Sequence, residues 1–283
     1  MRTQFSKFVL AASLMLALAF TFSCSSDDGD SGSPPSNSRQ AGVIHGASVI
    51  YGGETYETVV IGEQTWIARN LNYAVDGSKC YGDGDKVIID GEERLLSNYE
   101  IQANCTKYGR LYRWTTAMAL DVSCDTNSCA SQIKAKHRGI CPSDWHIPSY
   151  EDWRTLMQYC STTACSDNSC LSFDAGKFLK AVSGWNGDGG SGNGEDTYGF
   201  AALPSGYGQA PPGGYQYSSG IDFFPTIPAI LAAGNYGSWW VAAEYDARNA
   251  PYFFLANNHN GASLTDGRGT GKSPFLSVRC LKD

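Results

Sequence analysis

The cysteines of this chain constrain its fold more than any other feature of the sequence. Ten cysteines are spread from Cys24 to Cys280 in a chain of 283 residues. In an oxidising compartment such a set forms disulfide bonds, whereas in the cytosol it is more typical of metal sites or reactive thiols. The interpretation of the cysteines therefore depends on where the protein resides.

The N-terminal segment is typical of an exported protein. Arg2 and Lys7 precede an apolar run over residues 8–22, and a single residue separates this run from Cys24. The run is shorter than the roughly 20 residues that span a bilayer, so we interpret residues 1–23 as a signal peptide. A cysteine at this position resembles the lipidation site of bacterial lipoproteins, and Cys24 is the predicted lipid-anchored first residue of the mature chain. The alternative is an ordinary secreted protein with a stray cysteine.

A polar, acidic segment follows Cys24. Residues 24–45 begin with the string CSSDDGD and contain no apolar run that could form a core, so we predict a flexible tether. Its serine and acidic residues resemble the surface-export signal of Bacteroidetes-type lipoproteins. That resemblance implies an outer-membrane protein on the cell surface of a Gram-negative bacterium. A solvated linker is compatible with the same residues.

Export makes disulfide bonds the expected state of the other nine cysteines, and their odd number leaves one cysteine over. Zinc is the alternative, but the chain lacks the C-x2-C and C-x2-H spacings that are usual in zinc sites. The predicted pairs are Cys80–Cys105, Cys124–Cys129 and Cys141–Cys280, with a further bond between two of Cys160, Cys165 and Cys170.

The net charge makes nucleic acid an unexpected partner. The chain carries −7 overall, and without residues 1–23 it has 19 basic and 28 acidic residues, which gives −9. A surface that neutralises phosphates needs an excess of Lys and Arg. We expect the lipid on Cys24 to hold the protein at the membrane, because an anionic surface would repel it.

The pattern of residues predicts one α+β domain over residues 46–283, with about two helices, short antiparallel strands and long glycine-rich loops. A helix is expected after Pro148, where Ser149 and Asp152 form a capping pattern. Its apolar residues recur at helical spacing at Trp153, Leu156, Met157 and Cys160. A second helix is expected from Asp174 through Val182. Other predicted elements are a hairpin over 55–68, helical structure over 112–120, and strands at 87–89, 199–203, 238–243, 252–256 and 275–281.

Six strings along the mature chain match the pattern of one protein family. They are WIARNLNY at 66–73, YGRLY at 108–112 with Trp114, CPSDWHIP at 141–148, GFAALPSG at 199–206, WW at 239–240 and SVRC at 277–280. In this order they resemble the Fibrobacter succinogenes major paralogous domain, a family of exported bacterial proteins without an established general activity. One departure is the string VAAE at 241–244, where the family usually has serine and threonine before the glutamate. Another is the inserted segment from Cys160 to Cys170.

The resemblance implies a fold and two classes of function. The family's two helices, long loops, paired tryptophans and terminal Arg-Cys are similar to the C-type-lectin-like fold, which formylglycine-generating enzymes share. Those enzymes carry a cysteine pair shortly before the terminal Arg-Cys, and no cysteine lies between Cys170 and Cys280. We therefore expect a disulfide-bonded, C-type-lectin-like binding or adhesion module. An oxidoreductase-type enzyme and a purely structural surface protein are the alternatives, since the fold alone does not choose.

The predicted ligand is a polysaccharide or another surface protein. Aromatic rings stack on sugar rings, and amides and carboxylates bond to hydroxyl groups. The predicted ligand-binding residues are Asp188, Asn193, Trp240, Tyr245, Asn257 and Asn258. A core position is the alternative for one of Trp239 and Trp240, because adjacent strand residues face opposite ways.

Calcium is a possible cofactor of the same loops, because carboxylate and amide oxygens are its ligands. The candidate calcium ligands are Asp188, Asn193, Glu195 and Asp196. The Glu-Pro-Asn and Trp-Asn-Asp strings that bind calcium in C-type lectins are not present in this chain.

No catalytic constellation is recognised, and no activity as an enzyme is expected. The chain has no G-x-S-x-G, P-loop or H-E-x-x-H string. Gly187, Gly189 and Gly192 fit a dinucleotide-binding pattern, but no apolar strand precedes them. His146 lies between Trp145 and Ile147, and we interpret it as a structural residue.

Overall fold

The computed structural model describes residues 43–89, 92–162, 171–187, 192–208, 233–265 and 269–283. These residues form four helices: α1 (Asn98–Tyr108), α2 (Trp114–Met118), α3 (Tyr150–Cys160) and α4 (Ala175–Leu179). The first nine strands are β1 (Ile44–His45), β2 (Val49–Tyr51), β3 (Glu54–Tyr56), β4 (Thr58–Ile61), β5 (Gln64–Ile67), β6 (Lys86–Ile89), β7 (Glu92–Leu95), β8 (Leu111–Tyr112) and β9 (Trp145–His146). The other strands are β10 (Leu171–Ser172), β11 (Tyr236–Trp240), β12 (Asn249–Ala250), β13 (Tyr252–Ala256), β14 (Ala262–Leu264), β15 (Thr270–Gly271), β16 (Leu276–Ser277) and β17 (Leu281–Lys282).

A five-stranded sheet connects the first described strand with the last. Its strand order is β1-β4-β5-β17-β9. The predicted hairpin is present as β4 and β5, with Gly62 at a φ of 62° in the turn. The last strand pairs antiparallel with β5 on one side and with β9 on the other. The first and last described strands therefore belong to one sheet, with β4 and β5 between them.

A six-stranded sheet lies at the centre of the fold, with the strand order β10-β14-β13-β11-β16-β8. β11 pairs antiparallel with β13 over all five residues and runs parallel to β16. Adjacent residues of a strand face opposite sides of a sheet. Trp239 and Trp240 accordingly contribute to different apolar clusters, so the sheet is buried on both faces.

Aromatic side chains fill the cluster that contains Trp239. Trp153 of α3 stacks on Phe253 of β13 with ring centroids 4.3 Å apart, and its centroid lies 5.0 Å from that of Trp66. The other cluster packs Trp240 against α2 and the Cys141–Cys280 disulfide. Rings in these arrangements add roughly 0.5–1.5 kcal/mol per pair to the stabilisation from burial.

The helix predicted after Pro148 is confirmed. The Ser149 hydroxyl accepts the amide of Asp152, and the Asp152 carboxylate accepts the amide of Ser149 at 2.8 Å, which completes a capping box. The four apolar residues of the predicted face, Trp153, Leu156, Met157 and Cys160, are fully buried.

Several other elements differ from the prediction. The second helix ends at Leu179 rather than Val182, because Lys180 adopts an extended conformation and pairs with Ala202 in a parallel bridge. Residues 199–203 form no strand beyond that bridge, and residues 275–281 divide into β16 and β17. The described residues contain four α-helices, whereas about two helices were predicted for the domain.

The fold is α+β with antiparallel pairing in most strands, as predicted, and three disulfide bonds join the predicted partners. The Cα atoms are 5.0 Å apart in Cys80–Cys105, 5.6 Å in Cys124–Cys129 and 5.9 Å in Cys141–Cys280. Cys160 is buried at the end of α3. Cys165 and Cys170 lie outside the described residues, so the further bond stays a prediction.

Within the described ranges, none of the helices has the length and hydropathy that a membrane crossing requires. The predicted signal peptide, Cys24 and residues 24–42 of the tether lie outside those ranges.

Candidate ligand-binding site

Five asparagines form a cluster where several loops meet at the ends of β11 and β13. We call Asn186, Asn193, Asn235, Asn257 and Asn258 the asparagine cluster. The Asn186 side chain donates to the Asn235 side chain at 2.9 Å, and the Asn257 side chain donates to the Asn186 carbonyl at 3.2 Å. The Asn193 side chain accepts the amide of Trp185 at 2.9 Å. These bonds join three separate loops into one polar surface.

Strand pairing brings two members of the cluster together. Tyr236 pairs with Ala256, so Asn235 precedes β11 at the point where Asn257 follows β13. The amide of Asn257 donates to the carbonyl of Asn235 at 2.8 Å, which extends the ladder by one bond. The register of the central sheet therefore fixes the position of these two residues.

Gly234 allows the third loop to approach. It has a φ of 91°, and a Cβ atom there would lie 2.6 Å from the side-chain nitrogen of Asn186. Its carbonyl accepts the amide of Asn186 at 2.8 Å. Because any larger residue would collide with Asn186, the cluster requires glycine at this position.

The cluster presents amide groups to solvent. Asn186, Asn193 and Asn258 are exposed, Asn235 is half-buried, and Asn257 is buried beneath them. Each side-chain amide offers two N–H donors and one carbonyl acceptor. The surface can therefore both donate to and accept from a ligand that carries several hydroxyl groups.

A buried cation lies beneath the cluster. The Lys180 ammonium donates to the carbonyls of Ala256 at 3.2 Å and His259 at 3.1 Å, and lies 5.2 Å from the centre of the Trp185 ring. Burial lowers the pKa of Lys180 to about 8. Burial also lowers the pKa of His259, and the Lys180 charge adds to that effect. The buried ammonium bonds to the backbone of residues 256 and 259, whereas the exposed asparagines of the cluster carry no charge.

The structure brings three of the six predicted ligand-binding residues into this cluster: Asn193, Asn257 and Asn258. Tyr245 is 53% exposed and lies on a different loop, where its amide donates to the Asn249 carbonyl at 2.9 Å. Asp188 lies outside the described residues.

Trp240 was wrongly predicted to contact ligand. Its side chain is 0% exposed, and its indole N–H donates to the carbonyl of Tyr112 at 2.7 Å. Trp239 is equally buried and donates to the Asn70 side chain at 2.8 Å. Both tryptophans are core residues because β11 has an apolar layer on each face.

The candidate calcium ligands make contacts with the protein instead. Asn193 accepts the Trp185 amide, Glu195 pairs with Lys177 at 2.9 Å, and Asp196 accepts the amide of Ala201 at 2.7 Å. In the described part of the chain, no group of three or more His, Cys, Asp or Glu residues could hold a metal ion. Asp188, the fourth candidate, lies outside the described residues, so calcium binding stays a prediction.

Two members of the cluster were missed by sequence reasoning. Asn186 follows Trp185 in the string WNGD, and Asn235 lies between Gly234 and the first residue of β11. The order of residues gave no sign that these positions meet, because their contact depends on the packing of three loops.

The string VAAE at 241–244, which departs from the usual family pattern, ends in a glutamate that contacts other loops. Glu244 forms an ion pair with Lys272 at 2.8 Å and accepts the amide of Cys129 at 2.8 Å. It also accepts the hydroxyl of Ser128. Glu244 is thus part of a buried polar network, and the hydroxyl that bonds to it comes from the Cys124–Cys129 loop rather than from residues 241–243.

Among the comparisons with known proteins, a family model matches this chain. Searches of curated proteins and of solved structures found no match. The family model described as the Fibrobacter succinogenes major domain matches residues 59–282, a range that includes the asparagine cluster and all three described disulfides. The chain therefore belongs to the Fibrobacter succinogenes major domain family.

Proposed function

We propose that this protein is a lipid-anchored surface module that binds polysaccharide through the asparagine cluster. The observation that supports this function is the set of exposed amides on Asn186, Asn193 and Asn258. Bonds between loops link Asn186 to Asn235 and to Asn257, the residue before Asn258. Neighbouring hydroxyl groups of a sugar ring can accept from and donate to such amides at once. The same surface suits an adhesion role, in which the polysaccharide belongs to another cell or to the extracellular matrix.

The described residues of the cluster offer hydrogen-bonding groups rather than a stacking surface at Asn186. Trp185, the aromatic residue nearest in sequence to Asn186, is 4% exposed and donates its indole N–H to the carbonyl of Ala202. We therefore expect these described residues to bind ligand through hydrogen bonds. Since the exposed members are uncharged, a neutral sugar is the expected ligand class.

We also propose that the fold is C-type-lectin-like. Support comes from the long loops, the pairing of the last strand with the N-terminal hairpin, and the bond between Cys141 and Cys280. These features agree with the family's resemblance to that fold.

A glycan array tests the binding proposal. We expect the purified protein to bind neutral glycans, and Asn258→Ala and Asn186→Ala to weaken binding by up to about tenfold each, as for the loss of one hydrogen bond. Asn98→Ala, an exposed asparagine at the start of α1, is the matched control and should bind as the parent does.

Three other results would point elsewhere. Loss of binding in EDTA would indicate a metal site that includes residues outside the described ranges. No glycan binding with or without EDTA would contradict the proposal and favour a purely structural surface protein. Thiol-dependent oxidation of a cysteine-containing peptide would favour the enzyme alternative.

The lipid anchor is a separate proposal, supported by the apolar run over residues 8–22 and the cysteine that follows it. Cys24→Ala removes the acceptor sulfur, so the variant should leave the membrane fraction and lose label from a metabolically incorporated fatty acid. Unchanged membrane retention and labelling would show that Cys24 is not the anchor.

A further inference from the structure

A concave site outside the asparagine cluster shares no lining residue with it. A cleft of about 640 Å³ opens between residues 76–83, helix α2 and Phe275. The volume falls within the usual range for sites that hold small molecules. The cleft contains two cationic side chains, Lys79 and Arg113, and its lining includes the ring of Phe275.

The two cations are positioned by the backbone. Lys79 exchanges a pair of backbone hydrogen bonds with Leu111, at 3.0 and 2.8 Å, and precedes Cys80 of the first disulfide. Arg113 precedes Trp114, whose amide donates to the carbonyl of Lys272 at 3.0 Å. Fixed backbones of this kind reduce the conformational entropy that a ligand must overcome.

Both charged groups contact the same aromatic ring. The Lys79 ammonium lies 5.3 Å and the Arg113 guanidinium carbon 5.4 Å from the ring centre of Phe275. Cation–π contacts of this length hold the side chains in the cleft at a modest energy. The charges therefore face the same small volume.

The donors of the two cations are largely unused. Among the described residues, the Arg113 guanidinium makes no hydrogen bond, and its one ion pair, with Asp125, is 3.6 Å long. The other oxygen of Asp125 already accepts the Thr115 hydroxyl at 2.9 Å. Lys79 has a single long bond, 3.4 Å, to the carbonyl of Asp83. An incoming carboxylate would find a guanidinium fork and an ammonium with free N–H groups.

The other polar groups of the cleft restrict the anion. Asp76 and Asp83 also line it. Their carboxylates oppose any anion, and they oppose a doubly charged phosphate more strongly than a singly charged carboxylate. A single carboxylate on a polyhydroxy ring would bond to the cations, while the ring hydroxyls donate to these acidic side chains. The Thr116 hydroxyl and the exposed apolar side chain of Val122 complete the lining, which suits the mixed surface of a sugar.

We propose that this cleft binds a uronic acid residue, with its carboxylate held by Arg113 and Lys79 and its hydroxyls held by Asp76 and Asp83. The site makes the protein a binder of acidic as well as neutral saccharides, through two separate surfaces. The proposal does not depend on the asparagine cluster.

An NMR titration of the purified protein tests the site with glucuronate, its uncharged analogue glucuronamide, and inorganic phosphate. We expect saturable shifts of the amides at 76–79 and 113–116 with glucuronate, and binding of glucuronamide at least about tenfold weaker, the difference expected for a charge-assisted bond. Phosphate should bind more weakly than glucuronate.

Matched variants locate the carboxylate. Arg113→Gln and Lys79→Gln should each weaken glucuronate binding by about tenfold or more. Lys86→Gln, an exposed lysine outside the cleft, and Asn258→Ala, in the asparagine cluster, should leave it unchanged. If Arg113→Gln does not fold, the affinity of Lys79→Gln for glucuronate tests the proposal.

Four results would overturn the proposal. They are no binding of glucuronate, equal binding of glucuronamide, tighter binding of phosphate, and unchanged affinity in a folded Arg113→Gln or Lys79→Gln variant.

Discussion

At the scale of single residues, three cationic side chains of the described domain are buried, and each is held by protein oxygens. Lys180, Lys272 and Arg279 are 0 to 1% exposed. Arg279 donates to the carbonyls of Ile67 and Phe200 and to the Asn70 side chain, and burial lowers its pKa to about 9. A buried charge without such partners would cost several kcal/mol. The fold thus uses lysine and arginine as internal cross-links between loops.

Lys272 has the most complete set of partners. Its ammonium donates to the Glu244 carboxylate at 2.8 Å and to the carbonyls of Cys124 at 2.8 Å and Ala247 at 3.0 Å, and lies 4.5 Å from the centre of the Trp114 ring. Burial alone would favour neutral Glu244, but its hydrogen bonds to Lys272, Ser128 and Cys129 lower its pKa below the usual value. The ion pair is therefore the stable form.

We predict that Lys272→Met lowers the free energy of unfolding by about 3–5 kcal/mol, because it leaves the buried Glu244 carboxylate without its cation. Lys86→Met is the control: its pair with Glu93 is 3.8 Å long and exposed, so it should cost less than about 1 kcal/mol. Denaturant unfolding measures both. A loss for Lys272→Met no greater than for Lys86→Met would show that the buried pair contributes little.

These internal cations could not be predicted from the sequence. Lys272 lies in the string GTGKSP, between glycines and proline, where a lysine is usually solvated. Its partners, residues 124, 244 and 247, lie 148, 28 and 25 residues away from Lys272 along the chain. The asparagine cluster also depends on contacts between residues that are distant in sequence. Three of its members were predicted as ligand-binding residues, but the packing of the loops decides which residues come together.

At the scale of elements, the strength of the local pattern decides what could be predicted. α3 has both a capping box and four buried apolar residues at helical spacing, so its sequence determined its limits. α1 has an equivalent capping box at Ser97 and Glu100 but buries only Cys105 and Tyr108, and it was not predicted. A helix with so few buried residues has no apolar periodicity to detect.

His146 joins three elements: its own strand β9, the start of α3 and the end of β17. One ring nitrogen lies 2.7 Å from the Asp283 carboxylate and the other 3.4 Å from that of Asp152. Burial of the ring opposes its charged form, but the two carboxylates outweigh that effect and raise the pKa of His146. A raised pKa means that the contacts stabilise the fold fully below the unfolded pKa of about 6.5, and that this contribution is lost as the pH rises through the folded pKa.

We predict that His146→Gln destabilises the protein by about 1–3 kcal/mol at pH 6, where the raised pKa favours the imidazolium that faces the two carboxylates, and by less at pH 9. His45→Gln, which changes an exposed histidine of β1, should give a small difference at both values. Urea unfolding at the two pH values measures the effect. A cost of His146→Gln that stays constant or grows towards pH 9 would contradict the role of the imidazolium.

At the scale of the whole molecule, the three disulfides differ in what they connect. Cys80–Cys105 joins the loop that carries Lys79 to α1, and Cys124–Cys129 closes a turn that contacts Glu244. Cys141–Cys280 links the start of the CPSDWHIP string to the end of SVRC, across 139 residues. Export predicted that the cysteines form disulfides, and the three described bonds join the predicted partners. The α+β class was predicted because two helical patterns precede a region of short strands. The contents of the loops were not predictable, since glycine-rich segments carry no periodicity.

Loop length gives a quantitative prediction for these bonds. On the loop-entropy model, closing 139 residues removes unfolded-chain entropy worth up to about 5 kcal/mol, against about 2 kcal/mol for the five-residue separation of Cys124 and Cys129. The double variant Cys141→Ala/Cys280→Ala should therefore lose about twice as much stability as Cys124→Ala/Cys129→Ala, measured by denaturant unfolding under non-reducing conditions. Both pairs are buried in the same apolar cluster, so the cavities left behind are comparable and the difference reports mainly on loop length. Equal losses of stability for the two double variants would contradict this prediction. They would show that Cys141–Cys280 contributes no more than Cys124–Cys129, because residual structure in the unfolded chain already limits the entropy of the longer loop.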